Sequence, residues 1–133
     1  MVVYRANVDP SLLKKEFRID IHKLLDGSPF TWLVTFGFRS LQEQEKLWQI
    51  YRKGGPKAAP PGKSAHNYGL AVDVVPDGDD TKPGIQPDWT HEDKDNVEWL
   101  WLFDAVWKHP RLHSGRSFQD ASHIERLGWK QYI

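Results

Sequence analysis

The run Leu70-Ala71-Val72-Asp73-Val74-Val75 sets the tightest limit on what this chain can become. Rich in valine and bounded by Gly69 and Pro76, it reads as a short, largely buried strand. An ionised carboxylate inside such a strand costs several kcal/mol unless a cation, a metal or a hydrogen-bond network compensates it. Asp73 therefore demands a partner. His66 lies seven positions earlier, in the loop that leads into the strand, and is the first candidate to share a metal with Asp73. The plainer alternative is a hydrogen-bonded His–Asp pair with a purely structural role.

A third ligand is expected near the other end, in Ser117-Phe118-Gln119-Asp120-Ala121-Ser122-His123-Ile124-Glu125. His66, Asp73 and His123 would offer two neutral nitrogens and one anionic oxygen. That set suits Zn2+ and leaves a fourth position open, as catalytic rather than structural sites do. Asp120, three residues before His123, can aim a second carboxylate at that position and act as general base.

Ser64, His66, Gly69, Ala71 and Asp73 together spell SxHxxGxAxD, and this pattern resembles the signature of the LAS metallopeptidases. That group includes D-alanyl-D-alanine dipeptidases and carboxypeptidases and the L-alanyl-D-glutamate peptidases of phage endolysins and bacteria. The upstream Gly37-Phe38-Arg39-Ser40 with Gln44 is similar to a second family element. The resemblance implies an α+β fold, a single small domain whose antiparallel sheet is flanked by helices and carries the zinc site in a cleft (LAS or hedgehog-like). It implies His66, Asp73 and His123 as zinc ligands and Asp120 as the catalytic acid/base. Arg39, Ser64 and Gln44 are the expected substrate-binding residues, Arg39 through a bidentate grip on a carboxylate. For Ser64 two readings stay open, a turn hydroxyl or a polar contact near the metal. An Asp at 120, where the dipeptidase branch usually has Glu, points to an endolysin that cuts the L-alanyl-D-glutamate bond of peptidoglycan stem peptides. The alternatives are a D-alanyl-D-alanine dipeptidase or carboxypeptidase, and a non-catalytic zinc-binding module of the same fold.

Composition bounds the partners. With 133 residues the chain fits one domain, residues 1–133, with no separate wall-binding module expected. Eighteen basic and eighteen acidic side chains balance, and no basic stripe of a nucleic-acid binder appears. No apolar run is long enough to span a membrane. Without Cys there are no disulfides or thiolate sites. The first residues carry no export signal, so the expected route is accumulation in a host cytoplasm, release by another protein, and action on the wall from the periplasm. A monomer acting on a stem peptide is the expected working unit.

Local patterns fill in the frame. Ser11 is expected to cap a helix to about Leu25, stopped by Gly27. Thr31–Thr35 reads as a strand. Ser40 should cap a second helix through Arg52, with Leu47, Ile50 and Tyr51 on one face. Residues 53–63 and 77–89 read as loops. A third helix, capped by Thr90 and running from His91 to Lys108, is apolar around nearly its whole circumference and should be central and buried. Arg111–Arg116 reads as a turn into a last strand near Ala121–Glu125. Glu125 should share a face with His123 and orient its imidazole. His113 sits in the loop before the catalytic segment with no role assigned.

Overall fold

The computed structural model describes residues 1–133. Five strands form one sheet in the order β1-β2-β3-β5-β4. They are β1 (Val2–Tyr4), β2 (Trp32–Phe36), β3 (Ala71–Pro76), β4 (Leu112–Ser114) and β5 (His123–Arg126). The pairings β2–β3, β3–β5 and β4–β5 are antiparallel, whereas β1 runs parallel to β2. The expected antiparallel sheet therefore carries one parallel edge. The helices are α1 (Lys15–Asp26), α2 (Leu41–Arg52) and α3 (Val97–Lys108).

One core of 19 buried residues joins these elements. Phe17, Ile21 and Leu25 recur every fourth residue along α1, and Trp99, Leu102, Phe103 and Val106 make the i, i+3, i+4, i+7 stripe of α3. They bury against Trp32, Val34, Val72, Val74 and Ile124 of the sheet. Trp32 and Trp99 meet edge to face, with ring centroids 6.2 Å apart.

Three local expectations change. Ser11 does not cap α1: Asp9 caps a 3-10 turn over Pro10–Leu12, accepting from the Ser11 N–H at 2.9 Å, and α1 begins only at Lys15. Thr90 does not cap α3 either. Its hydroxyl and N–H are taken by Asp88, and Asn96 caps instead, its side chain accepting from the Trp99 N–H at 3.1 Å. Nor is α3 buried all round, since Trp107 is 86% exposed and Val97 and Leu100 also face solvent. The α2 helix matches its reading, with a capping box in which Ser40 and Glu43 exchange hydrogen bonds. Its Ile50 and Tyr51 are exposed, however, and Gln44 is its one buried residue.

Two features of the sheet prepare the site. The β2–β3 register shifts between Val34 and Phe36, so that Thr35 is an extra residue beside Asp73. A bulge of this kind bends the strand and re-aims neighbouring side chains. In β3–β5, Asp73 lies directly opposite His123, which puts both side chains on one face.

Candidate metal centre

His66 arrives from a separate element. Residues 65–68 form a 3-10 turn, Ala65–Tyr68, whose N-terminus is capped by Ser64: its Oγ accepts from the His66 N–H at 3.3 Å. Gly69 ends the turn in the left-handed region, at φ 69°. A Cβ there would stand 2.6 Å from the Leu12 carbonyl oxygen, so only glycine lets the turn dock on the Leu12–Lys14 backbone. The Lys14 N–H in return donates to the Gly69 carbonyl at 2.9 Å.

The three expected ligands converge. His66 Nε2 lies 3.5 Å from Asp73 Oδ1, and His123 Nδ1 lies 3.4 Å from the same oxygen. One ligand atom from each residue falls within 4.8 Å of the other two. Both imidazoles are buried, and the two rings meet edge to face at 5.0 Å.

The opposite nitrogens are already committed. His66 Nδ1–H donates to the Gly37 carbonyl at 2.7 Å, and His123 Nε2–H donates to Glu125 Oε1 at 2.7 Å. Each bond fixes a tautomer that turns the lone pair of the other nitrogen towards Asp73. Asp73 Oδ1 itself is buried and has no hydrogen-bond partner. A buried, orphaned carboxylate oxygen facing two imidazole lone pairs is a donor set short of its cation, and a divalent metal fits it.

With no cation between them, the same groups hold protons more or less tightly according to one another's charge. Burial alone would push the Asp73 carboxyl up, but the facing His123 and His66 outweigh it and hold the group well below the usual carboxylate range. Burial pulls His123 down, yet the Asp73 and Glu125 carboxylates more than offset this and lift the imidazole to about 9. Asp120 sits at the rim, half-exposed, with Oδ2 3.8 Å from His123 Nδ1. Its carboxyl is raised, first by burial and then by the Asp73 charge. Gly115 makes this approach possible, because a Cβ there would lie 2.3 Å from the Asp120 carbonyl oxygen.

A family model described as D-alanyl-D-alanine carboxypeptidase, VanY, matches residues 20–109, about two thirds of the chain. The chain belongs to this family. The expected membership in the LAS-type zinc peptidases is thereby met. No curated protein gives a significant sequence match. Among solved structures, the L-Ala D-Glu endopeptidase ChiX of Serratia marcescens is similar at TM-score 0.62 and 16% identity, over 98% of this chain and 93% of that one. VanYB in complex with D-alanine-D-alanine is similar at TM-score 0.53 and 16% identity, over 90% and 74%. A vancomycin-resistance D,D-pentapeptidase VanY variant in complex with Zn(II) is similar at 0.52 and 15%, over 98% and 88%. At these identities the likeness establishes the LAS fold.

In this carboxypeptidase-family chain the matched region includes Arg39, His66 and Asp73 but stops before Asp120 and His123. The last two join the site through β5 and the turn before it. Ser64 caps the turn that carries His66, as in the turn-hydroxyl reading. Gln44, expected to bind substrate, is 1% exposed, with its amide committed to the protein's own groups. Its Oε1 accepts from Arg39 Nη1 at 3.2 Å and Asn67 Nδ2 at 3.3 Å, and its Nε2 donates to the Ala59 carbonyl at 2.7 Å.

Asn67 escaped the sequence reading although it ties the site together. It donates to the Arg39 carbonyl at 3.0 Å and accepts from the Gly62 N–H at 3.1 Å. Nothing in its local pattern separates it from any other polar turn residue. Phe118 was missed as well; its ring packs at 5.5 Å from His123 and 6.1 Å from His113. His113 lies on β4 opposite Glu125 and contacts Ser117 Oγ at 3.2 Å, away from the ligand atoms. It also lines a cavity of about 730 Å³ between α3 and β4, separate from the ligand cluster.

Proposed function

We propose that this chain is a zinc-dependent peptidoglycan peptidase that cuts the L-alanyl-D-glutamate bond of stem peptides. The observation that carries the reading is the orphaned Asp73 Oδ1 between two oriented imidazoles, with Asp120 half-exposed beside them. His66, Asp73 and His123 would hold the zinc. When bound, zinc supplies Lewis acidity, polarising a peptide carbonyl and lowering the pKa of water.

The remaining work falls to the chain's own residues. Asp120 takes a proton at Oδ2 from the attacking water and returns it to the leaving amine. Its raised carboxyl pKa brings it nearer the range in which one group can do both. Arg39 is half-buried and belongs to no ion pair. An unpaired, partly desolvated guanidinium beside a catalytic centre is built to receive an anion, and D-glutamate brings a free carboxylate. The similarity to ChiX, an L-Ala D-Glu endopeptidase, supports this choice of bond.

A second reading has its own support. The matching family model is that of a D-alanyl-D-alanine carboxypeptidase, whose substrate also ends in a carboxylate that Arg39 could hold. Mass spectrometry of the products released from purified peptidoglycan separates the two. A new N-terminal D-glutamate supports the first reading, and free D-alanine with the Ala–Glu bond intact supports the second. The lysin role goes with the first reading, and its test is lysis when the protein is co-expressed with a membrane-permeabilising protein.

A further inference from the structure

Arg39 is held in place by a neutral group. Gln44 Oε1 is the one side-chain acceptor for its guanidinium; no carboxylate forms a direct ion pair with it, and Asp73, Glu43 and Asp120 act on it only from a distance. Gln44 can be relied on to hold still: it is fully buried, and both ends of its amide are bonded, to Asn67 and Ala59 as well as to Arg39. A glutamate would have the same shape and accept the same hydrogen bond. It would also neutralise Arg39 and leave the Ala59 carbonyl without its donor.

Arg39 lines a pocket of about 330 Å³ whose walls include Val8, Phe36, Phe38, Leu47 and Lys46. Phe36 and Phe38 are large and exposed, and the Arg39 guanidinium lies 5.6 Å from the Phe36 ring centroid. Lys46, like Arg39, enters no ion pair. The pocket's one carboxylate, Glu43, is engaged by the Ser40 N–H and hydroxyl at 3.2 and 3.0 Å. Two cations without ion pairs, the half-buried Arg39 and the exposed Lys46, face a partly apolar pocket and make a receptor for an anion.

We propose that Gln44 is a positioning residue that presents Arg39 to this pocket as a cation with no direct ion pair, so that the pocket selects a substrate residue with a free carboxylate. The proposal rests on the role given to Arg39 above, and it holds for either bond. Specificity of this kind comes from the charge that is withheld from position 44 as much as from the charge present at position 39.

The test is binding, read by calorimetry on zinc-loaded protein carrying Asp120→Asn so that turnover does not intervene. Two peptide pairs serve as probes: L-alanyl-γ-D-glutamyl peptide with its carboxylate free or amidated, and D-alanyl-D-alanine with its terminus free or amidated. The acid is expected to bind at least tenfold tighter than the amide in one pair. Adding Gln44→Glu should weaken acid binding tenfold or more and leave amide binding within about twofold, erasing the preference. Gln44→Met, neutral and of similar size, should weaken both members and keep the preference. Lys46→Glu places a carboxylate in the pocket from the protein surface, and should reduce the preference even if the buried variants fold poorly. Equal binding of acid and amide in both pairs overturns the proposal, as does a preference that survives both Gln44→Glu and Lys46→Glu. Which pair is bound decides the bond, so failure of the proposed substrate and failure of the Gln44 role give different results.

Discussion

His123 gives its Nε2–H to Glu125 at 2.7 Å, and this one bond decides which of its nitrogens faces Asp73. Glu125 stands two residues along the same strand, on the same face, opposite Ala71 of β3. The imidazole is thus set by its own strand. Glu125→Gln should keep the fold yet lower zinc affinity about 10- to 100-fold, because a neutral amide is a poorer acceptor and can reverse the tautomer. Competition with a chromophoric chelator measures this, and unchanged affinity would remove Glu125 from the site.

Replacing Asp73 with Ala should abolish zinc binding, since the oxygen shared by both imidazoles is lost. Metal analysis of the purified variant is the check. One zinc retained per chain would show that the ion sits elsewhere.

Asp120→Asn should separate chemistry from metal binding. The residue lies at the rim, with its nearest contact to a ligand imidazole at 3.8 Å. Zinc content and thermal midpoint should stay near wild type while kcat falls on the order of 10² to 10⁴, the usual worth of a general base. Loss of zinc in this variant would make Asp120 a ligand.

Gly69→Ala should destabilise the fold by about 2 kcal/mol or more, from left-handed backbone and a clash 2.6 Å from the Leu12 carbonyl oxygen. Because that turn carries His66, zinc affinity should fall along with stability. Denaturant unfolding with and without zinc reads both, and a variant as stable as wild type would contradict the docking described for this turn.

The buried Asp20 receives two hydrogen bonds from Arg111, each 2.9 Å, and they hold its carboxyl below the usual carboxylate range. A folded-state pKa below the unfolded one means stability that is present above about pH 4 and lost as pH falls further. Arg111→Gln should lower the thermal midpoint at pH 7, and the gap to wild type should close in acid. A gap that stays constant down to pH 3 would show that the pair is not the cause.

How far the sequence could be read follows from which forces act locally. Asp73 announced itself because a charge in a valine strand is expensive, and Ser40 because a capping box closes within four residues. His123 could be suspected from its neighbours, but its place opposite Asp73 is a pairing across 50 residues that no local pattern encodes. Val2–Tyr4 and Leu112–Ser114 are three-residue strands, too short to show a period. Thr90 and Asn96 are both good caps, and the choice fell to Asn96 because Asp88 had already taken Thr90. Gln44 was read as a substrate contact, whereas in the fold it is buried and bonded to Arg39. From sequence, a polar residue facing a cleft and one buried beneath it look alike.

The segment between β3 and α3 closes on itself at its base, where Asp77 bridges Pro87 and its Oδ1 accepts from the Gln86 N–H at 2.9 Å. Beyond that knot, Thr81 to Gly84 are exposed, and around Gly84 there is open space. Neither strand of the ladder that aligns Asp73 with His123 includes this tip, since β3 ends at Pro76 and β5 begins at His123. Lengthening the tip therefore adds only loop-closure entropy, which grows slowly with length. This makes the tip a natural graft point: a reporter or an affinity module could be spliced in there, and the hydrolytic face would be carried along intact as a cassette.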